Sequence, residues 1–164
     1  MIVTASTVCG EPRSTCHHWL SDQADDQRVV AFRVGVANGR VAYLANHDDD
    51  RRDELYSARI DGIGTPVRLN DPMPVTPAWE QDFQVSPDGL TVVYRADAEE
   101  YELIELFATT GAHPNTQLNG PITAATIQSD VNDFWVTPDG LHTLYRVAGH
   151  GVFHLRLDHR GEAD

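Results

Sequence analysis

An acidic stretch beginning at Asn46 has the residue types that best suit a metal ion. Asn46, Asp48 and Asp50 alternate in the way that oxygen ligands of Ca²⁺ do in binding loops. The EF-hand pattern fails, because the stretch has no Gly at the sixth position and no Glu at the twelfth. These three residues are therefore the candidates for a weak calcium site. The alternative, which we favour, is a solvated loop whose charge is partly offset by Arg51 and Arg52.

The sequence lacks the usual motifs of nucleophilic and nucleotide chemistry. It contains no G-x-S-x-G, no G-x-G-x-x-G and no Walker loop. Its 8 histidines show no ligand spacing. Cys9 and Cys16, with His17 and His18, form a C-x6-C-H-H stretch that matches no zinc-finger pattern, so a disulfide or two free thiols is favoured over a metal. We expect no catalysis, and no cofactor apart from the calcium considered above.

Two tryptophans are the candidate interaction residues. Trp79 lies in a proline-containing connection, where an exposed indole would suit an anchor for a partner. Trp135 follows Phe134 on a predicted strand, and alternation places the two side chains on opposite faces. One of that pair is expected to pack inside and the other to face a neighbour. Packing within the fold is the alternative for both tryptophans.

Composition limits the classes of partner. The chain has 164 residues, enough for one domain or a few repeats, and its net charge is −13. Nucleic acids and anionic membranes attract clustered positive charge, so neither is expected to bind, whereas cationic partners are favoured. No apolar run approaches the roughly 20 residues of a membrane-spanning helix, so no membrane insertion is expected. The N-terminus shows no signal peptide, which leaves the compartment open.

A repeat with an offset of 51 residues organises the sequence. Residues 82–90 (DFQVSPDGL) recur as residues 133–141 (DFWVTPDGL). Glu-Leu-Tyr at 54–56 matches Glu-Leu-Phe at 105–107 at the same offset, and Leu-Asn-Asp-Pro at 69–72 matches Leu-Asn-Gly-Pro at 118–121 at an offset of 49. The offset of 51 also aligns two aromatic columns, Phe32 with Phe83 and Phe134, and Tyr43 with Tyr94 and Tyr145.

The repeated unit has the pattern of short β-strands joined by tight turns. Apolar segments such as 29–34, 40–44 and 54–60 are typical of strands, and 65–69 is a weaker fourth. The turn between the first two strands contains Pro-Asp-Gly, in which proline presets φ and glycine takes a positive φ. These turn residues are Pro87, Asp88 and Gly89 in one unit, and Pro138, Asp139 and Gly140 in the next.

Four short antiparallel strands in about 50 residues predict an all-β fold made of β-propeller blades. A single four-stranded sheet cannot bury both of its faces, so blades pack against one another, and the aromatic columns are expected in that packing. We divide the chain into an N-terminal flank, residues 1–27, which could supply a complementing strand, and three repeats, residues 28–78, 79–129 and 130–164.

The pattern D-F-x-V-[ST]-P-D-G-x4-Y-R, followed by E-L-[YF] and L-N-x-P, resembles the TolB-type, WD-repeat-like β-propeller repeat of bacteria. The resemblance covers about residues 28–160 and is strongest at 83–94 and 134–145. It implies blades of a six- to eight-bladed ring, a protein that is often periplasmic, secreted or on the cell surface, and a role in docking other macromolecules.

The sequence departs from that family in having about three blades, an incomplete ring. Three arrangements stay open: a fragment of a longer propeller that lacks further blades, a homodimer that closes a six-bladed ring, and an open arc. For function, we expect a non-catalytic binding or scaffold module that docks a protein or another extracytoplasmic ligand. The alternatives are a propeller hydrolase or lyase with an active site on the channel face, and a truncated product without independent function.

Overall fold

The structure of the chain is a computed structural model. It describes the backbone of residues 7–8 and 17–18, and both backbone and side chains of residues 28–35, 39–47, 53–72, 82–97, 103–112, 114–119, 130–147 and 151–157. Over these residues the protein is all-β with antiparallel sheets, which confirms that part of the predicted fold class. No helix that could cross a membrane occurs in them.

Thirteen strands form in the described ranges. A short pair, β1 (Thr7–Val8) and β2 (His17–His18), precedes three larger sheets. The strands of those sheets are β3 (Val29–Gly35), β4 (Arg40–Ala45), β5 (Glu54–Arg59), β6 (Val67–Arg68), β7 (Asp82–Val85), β8 (Val92–Ala96), β9 (Glu105–Thr109), β10 (Thr116–Gln117), β11 (Val131–Val136), β12 (His142–Val147) and β13 (Gly151–Arg156).

The three larger sheets are antiparallel meanders in chain order. Sheet 1 contains β3 to β6, sheet 2 contains β7 to β10, and sheet 3 contains β11 to β13. The fourth strands β6 and β10 have only two residues each. Each is prolonged by one further backbone bond, from Leu69 N to Leu55 O and from Leu118 N to Leu106 O, both 2.7 Å.

Strand register places the repeated aromatic residues directly opposite one another. Phe32 pairs with Tyr43, and Phe83 and Phe134 pair with the tyrosines of their own sheets. The tyrosine rings of β8 and β12 also stack on phenylalanines of the third strands, with ring centroids 5.5 Å apart in both sheets. Strands β3 and β11 share a bulge near their starts, at Val30 and Asn132.

Each sheet has two faces that we name by their first-strand residues. The forward face carries Arg33 in sheet 1, Gln84 in sheet 2 and Trp135 in sheet 3. The rear face carries the phenylalanine column, because successive residues of a strand point to opposite sides.

The sheets stack forward face to rear face. Ala42, Leu44 and Leu55 of the forward face of sheet 1 share a core with Phe83, Tyr94 and Phe107 of the rear face of sheet 2. The forward face of sheet 2 packs in the same way on the rear face of sheet 3. The residues of that second core are Val93, Leu106, Leu118, Val131, Phe134, Val136, Val147 and Leu157.

Phe32 differs from the other members of its column. Phe83 and Phe134 are buried between sheets, as expected of the column, whereas the Phe32 side chain is 63% exposed. Phe32 lies in the β3 row of the rear face of sheet 1, and no described sheet packs on that row. The β4 and β5 rows of that same face are buried, in a cluster that includes Val41, Tyr43 and Tyr56. The described residues form no closed ring.

Candidate functional site

The two Pro-Asp-Gly turns have the same hydrogen bonds. In the first, Asp88 Oδ1 accepts a bond from Ser86 Oγ and another from Leu90 N, the latter at 3.0 Å. In the second, Asp139 Oδ1 accepts from Thr137 Oγ1 and from Leu141 N at 2.9 Å. The glycines have φ angles of 72° and 71° at positions 89 and 140. In each turn the carboxylate therefore holds the turn together.

These bonds also govern the ionisation of Asp139. The bond from the Thr137 hydroxyl is the main cause that lowers the pKa of Asp139, and the bond from Leu141 N acts in the same direction. Both donors bind the charged form more strongly than the neutral form. The lowered pKa means that the turn favours the charged carboxylate of Asp139, which suits a structural acceptor better than a proton donor.

The two turns lie against each other and expose equivalent leucines. A Cβ placed on Gly140 would lie 3.2 Å from Pro87 Cδ, so the turns of sheets 2 and 3 are in contact. Leu90 and Leu141 follow the glycines, and their side chains are 57% and 41% exposed. We call the pair of turns with these two leucines the turn surface. Two apolar side chains on adjoining tight turns form a small rigid site suited to an apolar group.

The candidate calcium ligands are only partly described. Asn46 is buried, and its Oδ1 accepts a bond of 2.6 Å from Arg28 N, which ties the end of β4 to the residue before β3. Asp48 and Asp50 lie outside the described residues. Within the described part of the chain, no three His, Cys, Asp or Glu side chains converge on a point where a metal could bind. The calcium site stays a prediction.

Of the two candidate tryptophans, only Trp135 lies within the described residues. Trp135 is on β11 with its side chain 61% exposed, while its neighbour Phe134 is buried. The indole therefore belongs to the forward face of sheet 3. Trp79 lies outside the described residues, as do Cys9 and Cys16.

Sequence reasoning missed the side chains that join the first strands of successive sheets. Arg33 places its guanidinium over the Phe83 ring, 5.4 Å from the ring centroid. Gln84 occupies the equivalent position in sheet 2. Its Nε2 donates to Phe134 O at 2.8 Å, and its Oε1 accepts from Val136 N at 3.0 Å. The amide thus takes the place that a neighbouring strand would fill beside β11. The signal available in the sequence is the polar residue directly after two of the column phenylalanines, Arg33 after Phe32 and Gln84 after Phe83.

Arg95 makes a second connection from sheet 2 to sheet 3. Its Nη1 donates to Val131 O at 3.0 Å and also to Asn132 O, the carbonyls at the bulge of β11. The equivalent residue of sheet 3 is Arg146, which repeats at the offset of 51. Arg146 is on the exposed forward face, where its Nη2 pairs with Asp133 Oδ2 at 2.9 Å.

Two buried asparagines explain the repeated Leu-Asn segment. Asn70 Oδ1 accepts from Leu55 N at 2.8 Å, and Asn119 Oδ1 accepts from Leu106 N at 2.6 Å. In each sheet the asparagine side chain binds the backbone of the third strand just beyond the point where pairing with the fourth strand ends. These asparagines hold the sheet edge, and all of their described contacts are internal to the fold.

A scan of protein-family models and a search of curated proteins both find no match to this chain. The candidate site is therefore interpreted from its own geometry.

Proposed function

We propose that this chain is a non-catalytic binding module whose three sheets are blades of β-propeller type, and that it docks a protein or peptide ligand on the turn surface. The observation that carries the proposal is the repeated stacking. Two successive sheet interfaces use equivalent rows of equivalent faces. Stacked units that bury their faces against one another present their connecting turns as a continuous outer surface.

The chemistry of the turn surface supports docking. Asp88 and Asp139 are committed to hydrogen bonds within the turns, so the surface offers two apolar side chains on a fixed backbone. Rigid apolar anchors bind with little loss of conformational entropy, which favours recognition. The chain carries a net charge of −13, so a ligand with positive charge is attracted at long range.

Selection from a phage-displayed library of random peptides tests this proposal. We expect enrichment of peptides that combine an apolar residue with Lys or Arg, and binding of the synthetic peptides that calorimetry can measure. Replacing Leu90→Asp and Leu141→Asp together should weaken binding by about tenfold or more, because the apolar contact is lost. The matched control is Val67→Asp, an exposed apolar residue of the fourth strand of sheet 1.

The same peptides separate docking from catalysis. After prolonged incubation with the protein, mass spectrometry should show each peptide intact. Cleavage products would contradict the non-catalytic proposal and favour a hydrolase. Equal affinity of the double variant and the wild type would exclude the turn surface as the docking site.

A further inference from the structure

The two sheet interfaces within the chain follow one rule of contact. At the first interface, the forward-face residue of β3, Arg33, covers the rear-face Phe83 of β7. At the second, Gln84 of β7 binds backbone groups of β11 on either side of Trp135. In both cases a side chain from the first strand of one sheet meets the first strand of the next. The contacts of a further interface of this type can therefore be predicted from the residues at the equivalent positions of the two sheets that form it.

Among the described residues, each end of the stack has one exposed surface on which no other sheet packs. At one end, the forward face of sheet 3 exposes Trp135, Leu144 and Val152. At the other end, the β3 row of the rear face of sheet 1 exposes Phe32 and Val34. The β4 and β5 rows of that rear face are already buried, so the available surface is confined to β3.

Equivalent positions match these two surfaces residue by residue. In sheet 3, Trp135 occupies the position that Arg33 and Gln84 occupy in sheets 1 and 2. In sheet 1, Phe32 occupies the position of Phe83 and Phe134, the residues that Arg33 and Gln84 contact. Arg146 occupies the position of Arg95, whose guanidinium binds the two carbonyls at the bulge of β11.

The bulge itself supplies a second, independent match. Strand β3 repeats the bulge of β11, with Val29 and Val30 in the places of Val131 and Asn132. Both of these valines are exposed. Their carbonyls are therefore the equivalents of the two that Arg95 binds, and Arg146 on the opposite end of the stack is the equivalent donor.

We infer that the forward face of sheet 3 binds the β3 row of a second copy of this chain. Trp135 covers Phe32 of the second copy, and Arg146 donates to its Val29 and Val30 carbonyls. The contact joins two different surfaces. When each of two copies binds the other in this way, the pair has two such contacts, and both surfaces of both chains are covered. This inference rests on the proposed blade stacking and names a partner for it.

Light scattering after size-exclusion chromatography tests the inference on the full chain. We expect a mass of twice 18.2 kDa at high concentration. Trp135→Glu and Phe32→Glu should each raise the dissociation constant by about 30-fold or more, as loss of a central aromatic contact does. Arg146→Glu should weaken the pair as well. Ile63→Glu replaces an equally exposed residue outside both surfaces and should leave the mass unchanged.

Mixing the two aromatic variants gives a stricter test. In a pair made of one Trp135→Glu chain and one Phe32→Glu chain, one contact holds both substitutions and the other is fully wild type. An equimolar mixture should therefore form more pairs than either variant alone. A wild-type chain that stays at 18.2 kDa, or variants that keep the doubled mass, would overturn the inference.

Peptide binding distinguishes this failure from failure of the proposed function. Trp135 and Phe32 are not part of the turn surface, so monomeric variants with an unchanged circular dichroism spectrum should bind the selected peptides as the wild type does. A monomeric wild type that binds peptide refutes self-association alone. A paired wild type that binds no peptide refutes docking alone.

Discussion

The hydroxyl of Thr143 is a single buried polar group that lowers the stability of a sheet interface. Its side chain is fully buried on the rear face of β12, and its Oγ1 has no hydrogen-bond partner within the part of the chain that the structure describes. Val41 and Val92 occupy the equivalent positions in sheets 1 and 2 and are buried as well. A buried hydroxyl without a partner has lost its bonds to water and gained none, so it destabilises the folded state.

Replacing Thr143→Val should therefore raise the free energy of unfolding by about 1 kcal/mol, measured by urea denaturation. Thr109→Val is the matched control, because Thr109 Oγ1 donates to Leu69 O at 3.1 Å and accepts from Gly111 N at 3.0 Å. The control should lose about 1 to 2 kcal/mol. Equal effects of the two substitutions would show that the Thr143 hydroxyl is satisfied in solution.

At the scale of the element, two separate effects disfavour a side chain at a turn glycine: the strain of a positive φ and contact with neighbouring atoms. Gly140 and Gly39 have φ angles of 71° and 63°, so both prefer the absence of a side chain. A Cβ on Gly140 would also press on Pro87 of the neighbouring sheet, whereas a Cβ on Gly39 has no atom within 4 Å among the described contacts.

The difference between two alanine variants measures that contact. Gly39→Ala should cost about 1 kcal/mol for backbone strain alone. Gly140→Ala should cost about 2 kcal/mol, because the proline ring must also shift. Urea denaturation of both variants gives the comparison. If the two losses are the same, the turns of sheets 2 and 3 do not press on each other in solution.

The strand segments and their turns could be predicted from the sequence because both are set locally. Alternation gives each strand a period of two, and Pro-Asp-Gly is typical of the turn between the first two strands. The register, with Phe83 opposite Tyr94 and Phe134 opposite Tyr145, comes from the structure. The fourth strands proved shorter than predicted, since their pairing reduces to two residues and an asparagine side chain.

Contacts between sheets could not be read in the same way. The sequence marks Gln84 and Arg95 as polar residues on apolar strands, and nothing in a single strand shows that they bind the backbone of the next sheet. The exposure of Phe32 could not be predicted for the same reason, since whether a column residue is buried depends on what packs on its row of the sheet. The function of the chain stays a proposal, because the repeated residues are those of turns and packing.

At the scale of the whole molecule, the attachment of sheet 3 depends on the Gln84 amide. Gln84→Glu keeps the shape of the side chain, and its carboxylate still accepts from Val136 N. The other oxygen then faces Phe134 O without a proton to donate. We expect a loss of about 2 kcal/mol at about pH 7. At about pH 4 and below, a protonated carboxyl donates again, so the loss should shrink.

Gln84→Leu is the control for this pH dependence. It removes both bonds and has no titrating group, so its loss relative to the wild type should be the same at both pH values. Urea denaturation of all three proteins at each pH gives the comparison. A Gln84→Glu variant whose loss does not change with pH would show that the amide does not bridge the two sheets.

The stacking of forward face on rear face has a consequence for how such a chain lengthens. A unit whose two surfaces fit each other can be copied in tandem, and each new copy meets a surface that it already matches. Insertion of a second copy of the middle unit would preserve the Gln84 contact, because Gln84 would meet the backbone of the first strand of its own duplicate. In-frame duplication of such a unit produces a constant offset between equivalent residues, like the 51 residues that separate Phe83 from Phe134.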